Sequence, residues 1–265
     1  MLKRLPYLML MLFLATFLAM LAPLRASPPI GAVVQTWRYD PASSNVILRI
    51  VNTSGKDITA WTIKLKETYD NGQINEHEYS SDILALMLTV QQNSGTMDGE
   101  NLRRQFGNGT FQGGTSRDEK IPVAHPVKDC EAAITVVLYA DKTAEATNHD
   151  ALDRAMSARK VAATTMQTAS NIIKKALATS ATPEVDAAAQ LSALETQWKS
   201  QRHTSYDLDT GVLEGVIRSI KAAPQVAAAQ NITIKQHLTD YLIEHDKRAS
   251  ALSDHSKLRV VGGAQ

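Results

Sequence analysis

Of the residue patterns in this sequence, the one most similar to a metal site places a histidine and two carboxylates on one face of a C-terminal helix. His237, Asp240 and Glu244 are spaced at i, i+3 and i+7, so they lie along one side of a helix. Imidazole and carboxylate groups that converge in this way bind zinc. The stretch has no His-Glu-x-x-His spacing, however, and Lys247 and Arg248 follow Glu244 at the distances of ordinary helical ion pairs. We therefore expect a solvated charged face, and no metal or other cofactor.

Two further groups of reactive side chains lack the arrangement of a metal site or a catalytic site. Glu76, His77 and Glu78 are consecutive residues in a strand-like segment, so their side chains alternate between opposite faces and do not converge on one ion. The lone cysteine, Cys130, can make no intramolecular disulfide, and no motif positions a His and an Asp beside it. We expect a buried, inert thiol. The sequence also has no Gly-x-Ser-x-Gly nucleophile motif.

A glycine-rich stretch at residues 95–114 has the composition of a phosphate loop but not its context. A phosphate loop leads into a helix whose first N–H groups face the anion. Here the residues after Gly114 lack a helix core, and no Gly-Lys-Ser or Gly-Lys-Thr is present. We predict a mobile loop between strands, which can meet a partner. Its aromatic residues Phe106 and Phe111 belong to our candidate surface.

Two aromatic residues near the start of the mature chain raise the alternative of carbohydrate binding. Trp37 and Tyr39 lie at i and i+2, on one strand face with Val33 and Gln35. An exposed face of this kind would stack on a sugar ring. The inner faces of β-sandwiches carry the same pairs, so packing is the favoured interpretation.

The elements that must position these side chains begin with short strand-like runs between turn signals. The runs cover residues 33–39, 46–51, 58–69, 83–90, 121–123 and 134–140. In the third run Trp61, Ile63 and Leu65 share one face, as in a half-buried antiparallel strand, and Asp70-Asn71-Gly72 forms a hairpin turn. About seven short strands of this kind are typical of an immunoglobulin-like domain. We predict an antiparallel immunoglobulin-like β-sandwich at residues 27–142.

The composition changes near residue 143, where alanine, leucine, glutamine and lysine replace glycine and β-branched residues. Four helices are predicted: one from about residue 152, capped by Asn148 or Thr147; one from Thr182-Pro183; one over residues 209–223, ended by Pro224; and one over residues 234–252. Their apolar stripes are narrow, and their connections are short, which favours helical hairpins or a small bundle at residues 143–259. The tail at residues 260–265 is predicted to be frayed. The fold class is therefore α+β.

Polar residues interrupt these helical stripes. Arg159 stands in the stripe of the first helix, and His245 in that of the fourth. Interrupted, alanine-rich stripes pack weakly, so we expect the helical region to meet a partner or another copy of the chain.

The N-terminal segment has the three parts of a secretory signal peptide. Lys3 and Arg4 precede an apolar run at residues 5–22, and a small residue, Ala26, marks the expected cleavage point. We predict a signal peptide at residues 1–26 and an exported, periplasmic or secreted protein; the alternative is an uncleaved anchor in the inner membrane. With 28 basic and 27 acidic residues, the chain has no charge excess for nucleic acid or anionic lipid.

Two segments resemble parts of a group of exported bacterial proteins. Residues 46–63 contain Asn-Thr-Ser-Gly-Lys-Asp-Ile-Thr-Ala and resemble the strand–turn–strand of sandwich domains with an Asn-x-Ser-Gly-Lys-x-Ile-x-Ala hinge. Residues 136–145, with the Asp-Ala-Leu at 150–152, look like the last strand and helix entry of that group. The resemblance covers about residues 46–155. It implies a sandwich and export, and it carries no activity and no catalytic residue.

These patterns together favour an exported, non-catalytic protein of the cell envelope that binds an unknown protein or itself. The first alternative is a module that binds carbohydrate or cell wall through Trp37 and Tyr39. The second is a hydrolase whose site has no recognisable motif.

Overall fold

The computed structural model describes residues 30–89, 109–201 and 208–261. The predicted signal peptide, most of the glycine-rich stretch with Phe106, Val90 of the fourth predicted strand, and the last four residues lie outside these ranges.

Strands in the described residues form two sheets. They are β1 (Ala32–Asp40), β2 (Asn45–Asn52), β3 (Ile58–Tyr69), β4 (Ile74–Asp82), β5 (Ser116–Pro122), β6 (Val127–Tyr139), β7 (Thr143–Ala146) and β8 (Arg259–Val260). The smaller sheet has the order β1-β2-β5, and the larger has the order β4-β3-β6-β7-β8. Neighbouring strands are antiparallel, apart from the parallel pair of β7 and β8.

One hydrophobic core joins the two sheets. Trp61, Ile63 and Leu65 of β3 are buried in it together with Leu48 and Ile50 of β2. The alternation of β3 therefore places Trp61 where the sequence predicted it, in the core with an exposed fraction of 1%. Such a residue contributes to stability through its large buried apolar area.

The apolar run after β4 forms a helix, so our prediction of a buried strand at residues 83–90 is wrong. Helix α1 spans Ile83–Thr89, and only Ile83 and Ala85 in it are buried. The Oδ1 atom of Asp82 accepts a hydrogen bond from the N–H of Ala85 at 2.8 Å, which caps the helix start. Leucine, alanine and methionine, which fill most of this run, are also strong helix formers.

Four longer helices follow the strands, as predicted. They are α2 (His149–Thr179), α3 (Pro183–Gln201), α4 (Leu208–Gln230) and α5 (Ile234–Asp254). The Oδ1 atom of Asn148 accepts a hydrogen bond from the N–H of Ala151 at 3.1 Å, which confirms Asn148 as a helix cap. The chain is therefore an α+β protein with antiparallel sheets, and its five helices in the described residues comprise these four and α1. The predicted change of composition at residue 143 coincides with the first residue of β7, so the region predicted to be helical, residues 143–259, begins with a strand. Strand β8 returns Val260 of the predicted tail to the larger sheet.

Helix α4 continues through Pro224, so our prediction that this proline ends the helix is wrong. Pro224 lacks an N–H for the carbonyl of Ile220, which costs one helical hydrogen bond. Ile220, Ala223 and Ala227 are nevertheless buried in the described structure, the first two of them in a cluster shared with α2, α3 and α5. Packing on both sides of the proline outweighs the lost bond.

The first half of α2 covers the outer face of the larger sheet. Ala60, Leu138 and Ala144 of the sheet form a buried cluster with Ala151 and Leu152 of the helix. Alanine side chains on both surfaces let the backbones approach closely.

Arg159 is the main polar contact between the helices and the sheets. Its side chain has an exposed fraction of 0%, and its guanidinium group binds Asp82 through two bonds, Nε to Oδ2 at 2.6 Å and Nη2 to Oδ1 at 3.0 Å. Nη2 also donates to Oγ1 of Thr59 on β3 at 2.9 Å, and Nη1 to the carbonyl of His255 after α5 at 3.1 Å. The predicted flaw in the apolar stripe is thus a buried arginine, and all three nitrogens of its guanidinium group donate hydrogen bonds.

We expect Arg159→Ala to lower the free energy of unfolding by about 3–5 kcal/mol, since it leaves Asp82 without its partner at a partly closed interface. Urea denaturation followed by circular dichroism measures this change.

Arg154 provides a matched control on the same helix. It also pairs with a carboxylate of β4, Glu78, but its side chain is 62% exposed. Arg154→Ala should therefore cost less than about 1 kcal/mol. Equal losses in the two variants would show that burial does not decide the contribution of Arg159.

Candidate functional site

The three residues of the predicted charged face on α5 do not converge on a common point. His237 is half-buried, and this burial lowers the pKa of its imidazole. The carboxylate of Asp240 accepts a bond from Nε2 of Gln236 at 2.9 Å, and that of Glu244 binds Nζ of Lys247 at 2.7 Å. No group of three potential metal ligands exists among the residues that the structure describes.

Glu76, His77 and Glu78 point to different partners, as strand alternation predicts. Glu76 lies 3.6 Å from Nζ of Lys64, whereas Glu78 binds Arg154 and accepts a bond from Nδ2 of Asn148 at 2.6 Å. His77 lies on the other face of β4, with its Nδ1 atom 3.8 Å from a carboxylate oxygen of Glu67.

Trp37 and Tyr39 pack against the core between the sheets and are half-buried. A bulge in β1 between Val34 and Thr36 shifts the alternation, so Val34 joins their face and Val33 turns out to solvent with 41% exposure. The prediction that Val33 shares the face of Trp37 and Tyr39 is therefore wrong. Because the rings of Trp37 and Tyr39 are partly covered, they offer little flat surface on which a sugar could stack.

Phe111 is a core residue, so its place on the candidate surface is wrong. Its ring lies edge-on to that of Trp61, with the centroids 5.8 Å apart, and its backbone exchanges two hydrogen bonds with Ile58. The buried Asn52 donates its Nδ2 to the carbonyl of Phe111 and to that of Lys56, both at 2.9 Å. The Asn-x-Ser-Gly-Lys turn thus holds the end of the glycine-rich stretch in place.

A row of polar residues inside the β-sheet core had no signal in the sequence. The hydroxyl of Tyr79 on β4 donates to Oε1 of Glu119 on β5 at 2.8 Å, and Nε of Arg117 lies 3.7 Å from the other carboxylate oxygen. Burial raises the pKa values of Tyr79 and Glu119. The guanidinium of Arg117 lies 5.0 Å from the centre of the Trp61 ring. These contacts join the edges of the two sheets.

The thiol of Cys130 is buried, and burial raises its pKa to about 11. A thiol with this pKa is almost wholly protonated at neutral pH, which agrees with the expected inert state. The neighbouring carboxylate of Glu67 is bound by the hydroxyl of Tyr69 at 3.1 Å.

His245, the second interruption of a helical stripe, is buried between α5 and α2. Its Nδ1 atom lies 2.9 Å from Oγ of Ser170, and its ring stacks on that of Tyr241 with centroids 5.4 Å apart. Its Nε2 atom has no hydrogen-bond partner within the described residues. The pKa of His245 is lowered to about 4, mainly by burial. The charge of Asp246 opposes this shift, and those of Arg248 and Lys174 contribute to it.

An open groove runs between α3 and α4. Its volume is about 420 Å³, and its lining is mostly small and apolar, with one charged residue on each wall. The lining residues are Glu184, Val185, Ala188, Ala189 and Ser192 of α3 with Lys221 and Pro224 of α4. Val185 has 58% of its surface exposed. None of the predicted surface residues lines this groove, because its alanines carry no chemical signal in the sequence.

We expect His245 to make the fold acid-sensitive. Its pKa is about 4 in the folded chain and about 6.5 in an unfolded one. The unfolded state therefore takes up a proton first as the pH falls, so stability is present above pH ~6.5 and is lost towards pH ~4. The loss due to this residue is on the order of 3 kcal/mol, measured by urea denaturation at a series of pH values.

His245→Asn keeps a polar group beside Ser170 but does not titrate, so its stability should fall less over the same pH range. The control is His149→Gln, at an exposed position, which should follow the pH dependence of the original chain. If His245→Asn also followed it, the imidazole of His245 would not be the group responsible.

Comparisons with known proteins add little to this picture. No family model matches the sequence, and no curated protein matches it. A hypothetical protein from Peptoclostridium difficile 630, solved at 1.85 Å, is 12% identical, with a TM-score of 0.25; the match covers 44% of this chain and 84% of that one. A likeness this low carries no argument about fold or function. Among the helices of the described ranges, none combines the length and the hydropathy of a membrane span.

Proposed function

We propose that this chain is an exported, non-catalytic protein of the cell envelope whose helical region binds a protein. The observation that carries the proposal is the groove between α3 and α4. It is open and mostly apolar, and it exposes Val185 beside small side chains. Exposed apolar surface rimmed by polar groups is typical of a protein-binding site.

The positions of the reactive side chains also support a binding role. Tyr79 and Glu119 bond to each other inside the β-sheet core, and Cys130 is buried in that core as a protonated thiol. His245 is buried between helices. The groove itself offers one carboxylate, one amine and one hydroxyl on a small, apolar surface, which suits recognition better than proton transfer.

The export part of the proposal rests on the N-terminal sequence. A basic pair, an apolar run and a small residue at position 26 follow one another in the order of a signal peptide. Release of the chain into the periplasm or medium would bring its helical region to partners in the envelope.

We further propose that the strands form an immunoglobulin-like sandwich, related to the exported sandwich domains that the Asn-x-Ser-Gly-Lys turn resembles. If β1 to β7 are labelled A, B, C, C′, E, F and G, the two sheets have the orders A-B-E and C′-C-F-G. This order supports the proposal, as does the buried Trp61 on the strand labelled C.

A photo-cross-linking amino acid at Ala189 tests the binding role in intact cells that export the chain. Ala189 lines the groove and is exposed, so irradiation should join this position covalently to a second polypeptide. Electrophoresis and mass spectrometry identify the adduct.

Ile243 provides a matched control position, since it lies on α5, outside the groove lining, and is 51% exposed. The proposal expects an adduct at position 189 and none at position 243. No adduct at 189, or equal adducts at both positions, would contradict a binding role for the groove.

A further inference from the structure

We infer that the occupant of the groove between α3 and α4 is the same groove of a second copy of this chain. The inference rests on the proposed function, because it names the partner of that same surface. It follows from the charges on the two walls and from the small side chains between them.

The two walls of the groove have opposite charge. The α3 wall carries Glu184, and the α4 wall carries Lys221. Within the described residues, neither side chain makes a hydrogen bond or ion pair, whereas Lys199, at the far end of α3, binds both Glu195 and Glu214. Glu184 and Lys221 are therefore available for a partner that places a positive charge opposite the α3 wall and a negative charge opposite the α4 wall.

A second copy presents that order by symmetry. A two-fold axis parallel to the groove turns the chain over, so α3 of one copy lies across α4 of the other. Glu184 then faces the Lys221 side of its partner, and the contact occurs twice, as every contact does in a two-fold interface. A partner with one uniform charge would be attracted by one wall and repelled by the other.

The apolar residues fit the same arrangement. Val185 projects from the α3 wall, and Ala188, Ala189 and Ser192 leave room beside it for a side chain from the facing surface. Pro224 adds an exposed apolar ring on the α4 wall, where the facing Val185 would lie. Few apolar side chains line the groove, so the dimer should be weak and concentration-dependent.

Sedimentation velocity of the full chain over a range of concentrations tests the inference. The original chain should shift from monomer to dimer as its concentration rises. Glu184→Lys replaces two attractive contacts with two repulsive ones and should raise the dissociation constant about tenfold or more. Lys221→Glu should do the same, and the double variant Glu184→Lys/Lys221→Glu should restore the dimer.

Asp186→Lys provides the matched control. Asp186 also lies in the first turn of α3 and is exposed, but it does not line the groove. It should leave the dissociation constant unchanged, although it alters the helix N-terminus in the same way. Thermal melting of each variant verifies that it is folded.

The outcomes separate this inference from the proposed function. A chain that stays monomeric at every concentration, or a double variant that does not regain the dimer, would overturn the inference. An adduct from position 189 with a different polypeptide would then still support the proposed function. If the purified chain formed the dimer but position 189 gave no adduct in cells, the result would instead contradict the proposed function.

Discussion

The ion pair of Arg159 with Asp82 is the contact on which the arrangement of sheets and helices depends. Removing a guanidinium group from water is costly, so it remains buried only where its donors are bound. The acceptors of Arg159 come from Asp82 at the β4–α1 junction, from Thr59 on β3, and from the carbonyl that follows α5. Since Asp82 also caps α1, the side chain of Arg159 links α2 to four other elements: β3, β4, α1 and the end of α5.

The position of this ion pair is consistent with a proposed binding surface that lies elsewhere. The first half of α2 packs on the larger sheet, and the end of α5 leads into β8, which adds to the same sheet. Both helices are thereby committed to intramolecular contacts. Helices α3 and α4 share a buried cluster with α2 and α5, and an open groove remains between them. Contacts within the chain bury Arg159 and His245, the two residues that interrupt the apolar stripes. The proposed binding role therefore rests on the groove alone.

Much of the fold could be predicted because single residues decide it locally. The alternation of Trp61, Ile63 and Leu65 predicts a strand, and the side chain of Asn148 predicts where α2 begins. Two of the errors arose where distant residues decide the structure. Packing against other helices lets α4 continue through Pro224. The carboxylate of Asp82 on β4 stabilises the buried Arg159, which the sequence alone presented as an interruption of the stripe.

The candidate site was the least predictable part, because an alanine-lined groove between two helices has no motif. Predicted surface residues such as Phe111 have the right chemistry, but contacts far along the chain bury them. Charge on opposite walls is visible only once α3 and α4 are paired, since Glu184 and Lys221 are remote in sequence.

Native-state hydrogen exchange of the full chain tests most directly whether the sheets and the helices form one unit held by Arg159. The account predicts that the slowest amides of α2, β3 and β6 exchange through one common opening with the same free energy. In Arg159→Met, the amides of α2 and α5 should lose protection relative to those of β3. The account would be contradicted if, in the original chain, the amides of the helices exchanged through an opening that left the amides of β3 and β6 protected from exchange.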